Sequence, residues 1–424
     1  MNLLVVGGGG REHAIIKKLR ENPAVETIWC LPGNGGIAAD AECVPIGARD
    51  IDAICGFAAT HPVDFAVVAQ DDPLALGCVD RLHSLGIPCF GPEAKAARIE
   101  ASKVFAKGLM KKYAIPTADY RVFDAPADAL SYLETASFPI VLKADGLALG
   151  KGVLIAQSRE EACSAVSALM EEKRFGEAGN RIVIEEFLTG PEVSVLSFTD
   201  GKTVYPMVSS MDHKRAGEGD TGLNTGGMGT VAPNPCYTEA IAGRCMEEIF
   251  IPTVRAMRAE GCPFKGCLYF GLMLTPKGPK VIEYNCRFGD PETQVVLPLL
   301  KTDLLTVMQA VEEERLGEIE VEWSSGAAAC VILASGGYPA SYEKGKEITL
   351  PDVMPDNVTV FHAGDKLMDG KLITSGGRVL GVTACADDLR TALHDAYAAV
   401  QTIHFDGMMY RRDIGQRALR GGEA

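Results

Sequence analysis

Short β-rich runs alternate with helical ones through the first hundred residues. The first run, Leu3–Val6, ends at four consecutive glycines, Gly7–Gly10, and a helical pattern begins at Arg11. The pattern continues with β-rich runs at 27–31, 65–69 and 88–91 and with a helix around 74–85. Strands that alternate with helices form a parallel sheet covered on both faces. The sequence therefore predicts an α/β multidomain protein with an N-terminal doubly wound parallel sheet.

Chain length predicts further domains, because one hydrophobic core rarely serves 424 residues. A long helix is expected near 92–113, a small α+β unit up to about 190, and antiparallel strands with helices near 238–260 and 291–314. The residues from about 326 predict a small α+β domain.

Charge and composition exclude several classes of partner. The net charge of −15 argues against nucleic acid and anionic membranes, which need a broad cationic field. The early apolar run is too short for a signal peptide or a membrane span. Thirteen cysteines are scattered without a Cys-x-x-Cys pair, which indicates a reducing compartment. A cytoplasmic location is expected.

A metal and nucleotide site is indicated at 281–294, where Glu283, Asn285 and Arg287 are spaced two residues apart on an apparent strand. Strand periodicity puts them on one face. The two oxygen donors suit Mg²⁺, which leaves its other positions to phosphate and water, and the arginine can clamp a carboxylate or phosphate. Asp290 before Pro291 predicts an N-cap and a first helical residue. The alternative is a turn with solvated charges, which does not explain why Glu283, Asn285 and Arg287 share one face.

The glycine run at 7–10 joins a strand to a helix, which is where a doubly wound sheet binds phosphate. A dinucleotide fingerprint would need glycine where Glu12 stands, and no Walker lysine follows. A monophosphate therefore fits better, with Gly33–Gly36 as a second loop at the same edge. Ordinary tight turns are the alternative. Four glycines, however, raise the conformational-entropy cost of folding, which is expected where the backbone must approach another group closely.

Lys143 lies inside an apolar run and precedes a glycine-rich turn that contains Lys151. A buried lysine needs an anion, and triphosphate oxygens beneath a flap would supply one. A hairpin with a snorkelling lysine is the alternative. The run 182–188, followed by Glu192, is typical of a hinge that offers backbone groups to adenine and a carboxylate to ribose.

A long glycine-rich loop at 212–229 is expected to close over substrate. It contains His213, a candidate general base. A histidine in a basic run is more often a binding or surface residue, and attack by an amine on an activated acyl group can proceed without a base.

With these motifs in this order, the chain resembles the phosphoribosylamine–glycine ligase (glycinamide ribonucleotide synthetase) family of the ATP-grasp superfamily. The segments 8–14, 224–229 and 287–292 are specific to that family, whereas the lysine strand is shared by ATP-grasp enzymes generally. The resemblance spans nearly the whole chain. It implies an N-terminal phosphosugar domain at 1–101, an ATP-grasp domain at 102–325 with a mobile lid at about 117–190, and a C-terminal domain at 326–424.

The activity implied by this resemblance is ATP-dependent ligation of glycine to 5-phosphoribosylamine through glycyl phosphate, in de novo purine biosynthesis. ATP would be the co-substrate, with Mg²⁺ or Mn²⁺ held by Glu283 and Asn285. The other expected partners are small molecules, with no nucleic acid and no membrane, and the protein is expected to be a monomer.

The resemblance also implies roles for individual residues. It assigns catalytic roles to Arg287, Lys143, Asp212 and Lys214. ATP contacts fall to Lys103, Lys143, Lys151, Gly152, Glu185, Glu186, Phe187, Leu188 and Glu192. Substrate contacts fall to Gly8, Gly9, Gly10, Arg11, Asn34, Gly36, Asp72, Asn224, Gly226, Gly227, Arg287 and Asp290.

One departure concerns the end of the third strand, where the family often has Gly-Pro-Glu and this chain has Gln70-Asp71-Asp72. Asp72 keeps a carboxylate that is one methylene shorter, which puts the phosphoribosylamine contacts in question. Three other functions compete with the ligase. They are another ATP-grasp carboxylate–amine ligase, a nicotinamide-dependent oxidoreductase, which Glu12 opposes, and a nucleotide sensor without activity, which the metal strand opposes.

Overall fold

The computed structural model describes residues 1–147 and 152–421. Its N-terminal part is a five-stranded sheet in the order β3-β2-β1-β4-β5, with every pair parallel. The strands are β1 Asn2–Gly7, β2 Thr27–Pro32, β3 Glu42–Cys43, β4 Phe65–Val68 and β5 Cys89–Phe90. The helices are α1 Gly10–Arg20, α2 Ile51–Thr60, α3 Asp71–Ala75 and α4 Cys78–Ser84. The predicted parallel sheet is confirmed, and its strand order reverses between β1 and β4, where such sheets bind ligands.

The long helix expected near 92–113 is in fact two helices, α5 Ala94–Ala101 and α6 Lys103–Lys112. Ser102 separates them because its backbone is extended and its hydroxyl accepts the N–H of Phe105 at 3.1 Å. Ser102 is therefore the N-cap of α6. The helix expected at 74–85 is likewise divided, at Gly77, whose φ is 80°.

The small α+β unit is an antiparallel sheet in the order β6-β9-β7-β8 with helices packed on it. Its elements are β6 Tyr120–Phe123, α7 Pro126–Leu133, β7 Ile140–Ala144, β8 Val153–Ala156, α8 Arg159–Val166 and β9 Ile182–Glu186. The unit has its own hydrophobic core, which includes Leu133, Leu142 and Ile184. A separate core is what a lid that moves as one body would need.

The central part is built on an antiparallel sheet in the order β11-β10-β16-β17. The strands of this region are β10 Glu192–Asp200, β11 Val204–Pro206, β12 Met211–Asp212, β13 Arg215–Gly217, β14 Thr221–Asn224, β15 Gly229–Ala232, β16 Lys265–Thr275 and β17 Gly278–Asn285. Its helices are α9 Glu239–Cys245, α10 Ile251–Ala259, α11 Thr293–Val296 and α12 Leu304–Glu312. The predicted antiparallel strands are confirmed, and β17 lies at the edge of the sheet.

The C-terminal sheet has the order β12-β15-β18-β22-β19, with β23 paired to β18. Its own elements are β18 Ala327–Ser335, β19 Val358–His362, β20 Asp365–Met368, β21 Lys371–Thr374, β22 Arg378–Ala386, α13 Leu389–Val400, β23 Met408–Met409 and α14 Gln416–Leu419. The two strands that flank the predicted closing loop, β12 and β15, belong to this sheet. The expected division at 325/326 therefore does not separate two sheets.

Candidate active site

Glu283 is the acidic residue around which the cations of the site gather. It lies near the end of β17, and its Oε1 is 3.9 Å from Nζ of Lys214. Burial raises the pKa of Glu283, but Lys214, Lys143, Lys103 and Arg287 together bring that pKa below its ordinary value. The carboxylate is therefore ionised at neutral pH, as a ligand for a hard cation must be.

Asn285 and Arg287 both contact Glu100, a buried residue of α5 that sequence reasoning missed. Glu100 Oε1 accepts a hydrogen bond from Asn285 Nδ2 at 2.9 Å and lies 3.2 Å from Arg287 Nη2. Since the amide nitrogen of Asn285 is engaged, its oxygen is left to face a metal. Arg287 lies beyond the end of β17, so only Glu283 and Asn285 share the predicted strand. The signal for Glu100 was its place beside Ala96, Ala97 and Ile99 on the buried face of α5.

Lys143 is buried, as predicted, and its side chain is 5 % exposed. Its Nζ donates to Ile282 O at 3.0 Å and lies 3.1 Å from Glu185 Oε1. The other oxygen of Glu185 is 3.1 Å from Nζ of Lys107, which sequence reasoning also missed. Burial lowers the pKa of Lys107 to about 8, although Glu185 opposes the shift. The carboxylate expected to face ribose thus lies between two lysines.

The other residues expected to bind ATP surround this centre. Lys103 donates to Gly146 O at 2.9 Å, at the start of the glycine-rich turn, and Gly152 O accepts the N–H of Ala144 at 2.9 Å. Lys151 lies outside the described residues. The remaining positions are near the end of β9 or the start of β10: Glu186, which is 2.9 Å from Lys280; Phe187 and Leu188, which are half-buried; and Glu192, which is 3.6 Å from Lys214.

Asp212 ends β12 and Lys214 precedes β13, so the two residues lie on either side of His213. Burial and Glu292 raise the pKa of Asp212, while a set of carboxylates that includes Glu192 and Glu283 raises that of Lys214 against the effect of burial. A raised pKa makes the ionised form of a carboxyl a stronger base. The pair is therefore suited to proton transfer and to charge stabilisation.

His213 is buried, so the alternative that it is a surface residue is wrong. Its Nδ1 is 3.1 Å from Gly229 O, and its Nε2 accepts the N–H of Gly415 at 3.1 Å. Burial, with help from Arg411 and Arg417, lowers its pKa to about 4. Both ring nitrogens are engaged with backbone, which leaves neither for general-base catalysis.

His213→Gln is expected to make stability less sensitive to mild acid. The unfolded histidine has a pKa near 6.5 and the folded one about 4, so its contribution is full above pH 6.5 and is lost as the pH falls toward 4. Between pH 7 and pH 5 the native protein should lose about 2 kcal/mol through this group. Urea unfolding at both pH values measures the loss, and equal losses in the native protein and the variant would contradict the assignment.

The glycine loop before α1 makes close contacts with several neighbouring segments. The N–H of Gly9 donates to Glu12 Oε2 at 2.6 Å, and a Cβ on Gly8 would lie 2.5 Å from Gly33 O. Arg11 donates to Phe288 O at 3.0 Å, and its backbone N–H helps to lower the pKa of Asp290 against the effect of burial. The structure therefore brings the loop and Asp290 together, as a shared substrate site requires.

Asn34 and Gly36 have packing roles that differ from the expected substrate contacts. The amide nitrogen of Asn34 donates to Gly8 O at 3.1 Å and to His362 O at 2.8 Å, while its oxygen accepts the N–H of Gly36 at 3.0 Å. A Cβ on Gly36 would collide with the ring of His362. Both residues join the glycine loops to the C-terminal domain.

Asp290 is not an N-cap, because α11 begins only at Thr293 and its N-cap is Glu292. Its carboxylate accepts from Gln294 Nε2 at 2.8 Å and lies 3.4 Å from Arg378 Nη2. The predicted helix N-terminus at 290–291 is therefore wrong. The Asp290–Pro291 segment instead forms a turn held by side chains.

Arg378, the first residue of β22, joins this turn to the closing loop and was missed from the sequence. Its Nη1 donates to Gly226 O at 2.7 Å and to Asp290 O at 2.8 Å. Gly227 has a φ of 114°, and a Cβ there would lie 2.7 Å from Asp212 Oδ1. The structure therefore places Gly226 and Gly227 against the site. Asn224, at the exposed end of β14, is not in that contact.

The departure at 70–72 has a structural consequence. Asp72 is 3.6 Å from Arg49, whereas Asp71 is one of the acids that raise the pKa of Arg287 above its ordinary value against the effect of burial. Asp71 therefore acts on Arg287 together with Glu100, and the expected contact of Asp72 with phosphoribosylamine stays a prediction.

A metal at Glu283 and Asn285 would depend on its nucleotide for further ligands. Within residues 1–147 and 152–421, no three His, Cys, Asp or Glu side chains are grouped to hold a metal ion. One carboxylate and one amide oxygen, with phosphate and water, fit the usual coordination of Mg²⁺. Over the same residues, no helix is long and apolar enough to cross a membrane.

The fold and the site define an ATP-grasp protein. Biotin carboxylase from Campylobacter jejuni has the same fold, with a TM-score of 0.76 at 14% identity over 96% of this chain and 92% of that one. The chain belongs to the phosphoribosylglycinamide synthetase family, whose N domain matches residues 1–100, whose ATP-grasp (A) domain matches 101–293 and whose C domain matches 328–417.

Individual relatives agree with this family. The phosphoribosylamine–glycine ligase of Synechocystis sp. is 49% identical over 99% of this chain and 100% of its own. The trifunctional purine biosynthetic protein adenosine-3 of Gallus gallus is 48% identical over 98% of this chain and 42% of its own length. The crystal structure of the Thermotoga maritima phosphoribosylamine–glycine ligase has a TM-score of 0.86 at 36% identity, covering 98% of this chain and 100% of that one.

Proposed function

We propose that this protein ligates glycine to 5-phosphoribosylamine with ATP, giving glycinamide ribonucleotide, ADP and phosphate in purine biosynthesis. The observation that supports it most is the ionised Glu283 among Lys103, Lys143, Lys214 and Arg287. Three lysines and an arginine grouped around one ionised carboxylate suit a polyanion such as ATP together with its metal ion. Relatives that match over their full length carry the name of this ligase.

Glycine is activated in the first step of the proposed reaction. A carboxylate oxygen of glycine attacks the γ-phosphorus of ATP, the bond to the β-phosphate oxygen breaks, and glycyl phosphate and ADP form. Lys143 and Lys103 neutralise the phosphate oxygens, while Arg287 clamps the glycine carboxylate. Mg²⁺ or Mn²⁺ bound by Glu283 and Asn285 would supply charge stabilisation to the same oxygens.

The amide bond forms in the second step. The amine of phosphoribosylamine attacks the carbonyl carbon of glycyl phosphate, and phosphate leaves. Asp212 is the group we assign to accept the proton that the amine loses, because its pKa is raised and it lies against the closing loop at Gly227. Lys214 stays charged and stabilises the leaving phosphate. Exclusion of water by lid and loop would protect the acyl phosphate.

The phosphosugar is placed at the glycine loop, and Gly9→Val tests this. A Cβ on Gly9 would lie 3.0 Å from Glu12 Oε2 and 3.4 Å from Asp290 Oδ2, so the larger side chain should crowd the loop. The variant is expected to raise the Michaelis constant for phosphoribosylamine strongly and that for ATP little. Gly56→Val is the matched control, because its Cβ would enter open space. The reverse pattern of constants would place the nucleotide at this loop.

The test of the function is ADP formation by the purified protein. It should require glycine and phosphoribosylamine together, whereas another ATP-grasp ligase would accept a different acid or amine.

A cytoplasmic location is part of the proposal, because all thirteen cysteines are free. A monomer is also proposed, and sedimentation of the purified protein would test it.

A further inference from the structure

Glu185 is the centre of a buried group of three charges, the ion triad Lys107–Glu185–Lys143. The two lysine nitrogens lie 3.1 Å from different oxygens of the carboxylate. The side chains of Lys107, Glu185 and Lys143 are 3%, 3% and 5% exposed. Two cations and one anion leave a net positive charge in a place where burial makes charge costly.

The two lysines differ in what else they can reach. Lys107 Nζ donates to Thr117 Oγ1 at 2.8 Å and lies 5.5 Å from the centre of the Tyr120 ring. With Glu185, these neighbours enclose it. Lys143 Nζ instead donates to Ile282 O at 3.0 Å, one residue before Glu283. Only Lys143 therefore borders the predicted metal and phosphate position.

We propose that Lys107 is a positioning residue for ATP, one that holds Glu185 and remains its counter-ion when Lys143 turns to the triphosphate. The inference rests on the proposed function, because it takes Lys143 to bind ATP. Without Lys107, Lys143 would be the sole cation on Glu185. Phosphate binding would then leave a buried carboxylate without a partner, and that cost would appear as weaker ATP binding.

The same contact connects the lid to the metal strand. Thr117, which accepts from Lys107, donates to Val281 O at 2.7 Å, and the N–H of Val281 donates to Pro116 O at 2.8 Å. The triad is therefore fixed to β17 from both of its lysines. Through these contacts a residue that does not reach ATP can act on the proposed site of phosphate binding.

The experiment measures the dissociation constant of Mg-ATP by calorimetry for Lys107→Met, Glu185→Gln and the double variant. Lys107→Met is expected to weaken binding by at least ~10-fold, because one buried charge loses its partner. Adding Glu185→Gln should restore most of the lost affinity, since an amide needs no counter-ion. Lys111→Met, at an exposed lysine of the same helix, is the control.

A purely structural role for Lys107 would show no such restoration. If Lys107→Met does not fold, Glu185→Gln is compared with the double variant, because neither has a buried carboxylate without a partner. Their constants should agree within ~3-fold, and a much weaker double variant would overturn the inference. Native affinity in Lys107→Met would overturn it as well. Failure of the native protein to bind Mg-ATP would overturn the proposed function together with it.

Discussion

Glu283→Gln is expected to lower turnover by at least ~100-fold while the fold is retained, because it removes the proposed charged metal ligand from a transition state rich in negative charge. Burial alone would raise the pKa of Glu283, but the charges of Lys214, Lys143, Lys103 and Arg287 lower it and keep the carboxylate ionised. Glutamine keeps the shape and removes the charge. Steady-state turnover at saturating Mg²⁺, with a thermal melt to confirm folding, measures the effect.

The matched control for this change is Glu247→Gln, which alters an exposed glutamate far from the cations. The turnover of Glu247→Gln should equal that of the native protein.

Asn285→Leu is also expected to have a lower turnover, since it loses the second proposed metal oxygen and the hydrogen bond to Glu100. Near-native turnover of Glu283→Gln at saturating Mg²⁺ would remove Glu283 from the metal site.

Arg287→Lys is expected to lose most of its activity because it binds glycine more weakly, while its affinity for ATP stays nearly unchanged. A lysine keeps the charge and the ion pair with Glu100 but loses the two-point fork that we assign to the glycine carboxylate. The lost contact should cost roughly 1.5–3 kcal/mol. Separate titrations of glycine and ATP with the purified variant measure the two affinities.

The control for Arg287→Lys is Arg244→Lys, which makes the same exchange at a partly exposed, two-point pair with Glu248. The alternative for Arg287 is a structural ion pair. The partner in that pair is Glu100, whose Oε1 lies 3.2 Å from Arg287 Nη2. An unchanged glycine constant and turnover in Arg287→Lys would mean that the pair with Glu100 is its whole role.

Local sequence patterns predicted the elements that form the site. The apolar run around Lys143 predicted a buried lysine, and the four glycines after β1 predicted a close approach of backbone to its neighbours. Both patterns work because burial and strand periodicity are properties of a few adjacent residues. The breaks at Ser102 and Gly77 were missed because apolar periodicity continues through them, while capping and positive φ act at single residues.

The missing residues are partners across long separations in the chain. Glu100 meets Arg287, Lys107 meets Glu185, and Arg378 meets Asp290. The packing of the domains decides which charges pair, and the periodicity of residues within one segment does not encode that packing. The same reason explains Asp290, whose local sequence suggested a cap but whose carboxylate is engaged by Arg378 and Gln294.

The most direct test of the ligase function is release of ADP by the purified protein with Mg-ATP, measured with glycine alone, phosphoribosylamine alone and both together. The proposed reaction predicts sustained ADP release only with both, together with one glycinamide ribonucleotide for each ADP. Equal ADP release without phosphoribosylamine, or none with both substrates present, would contradict it.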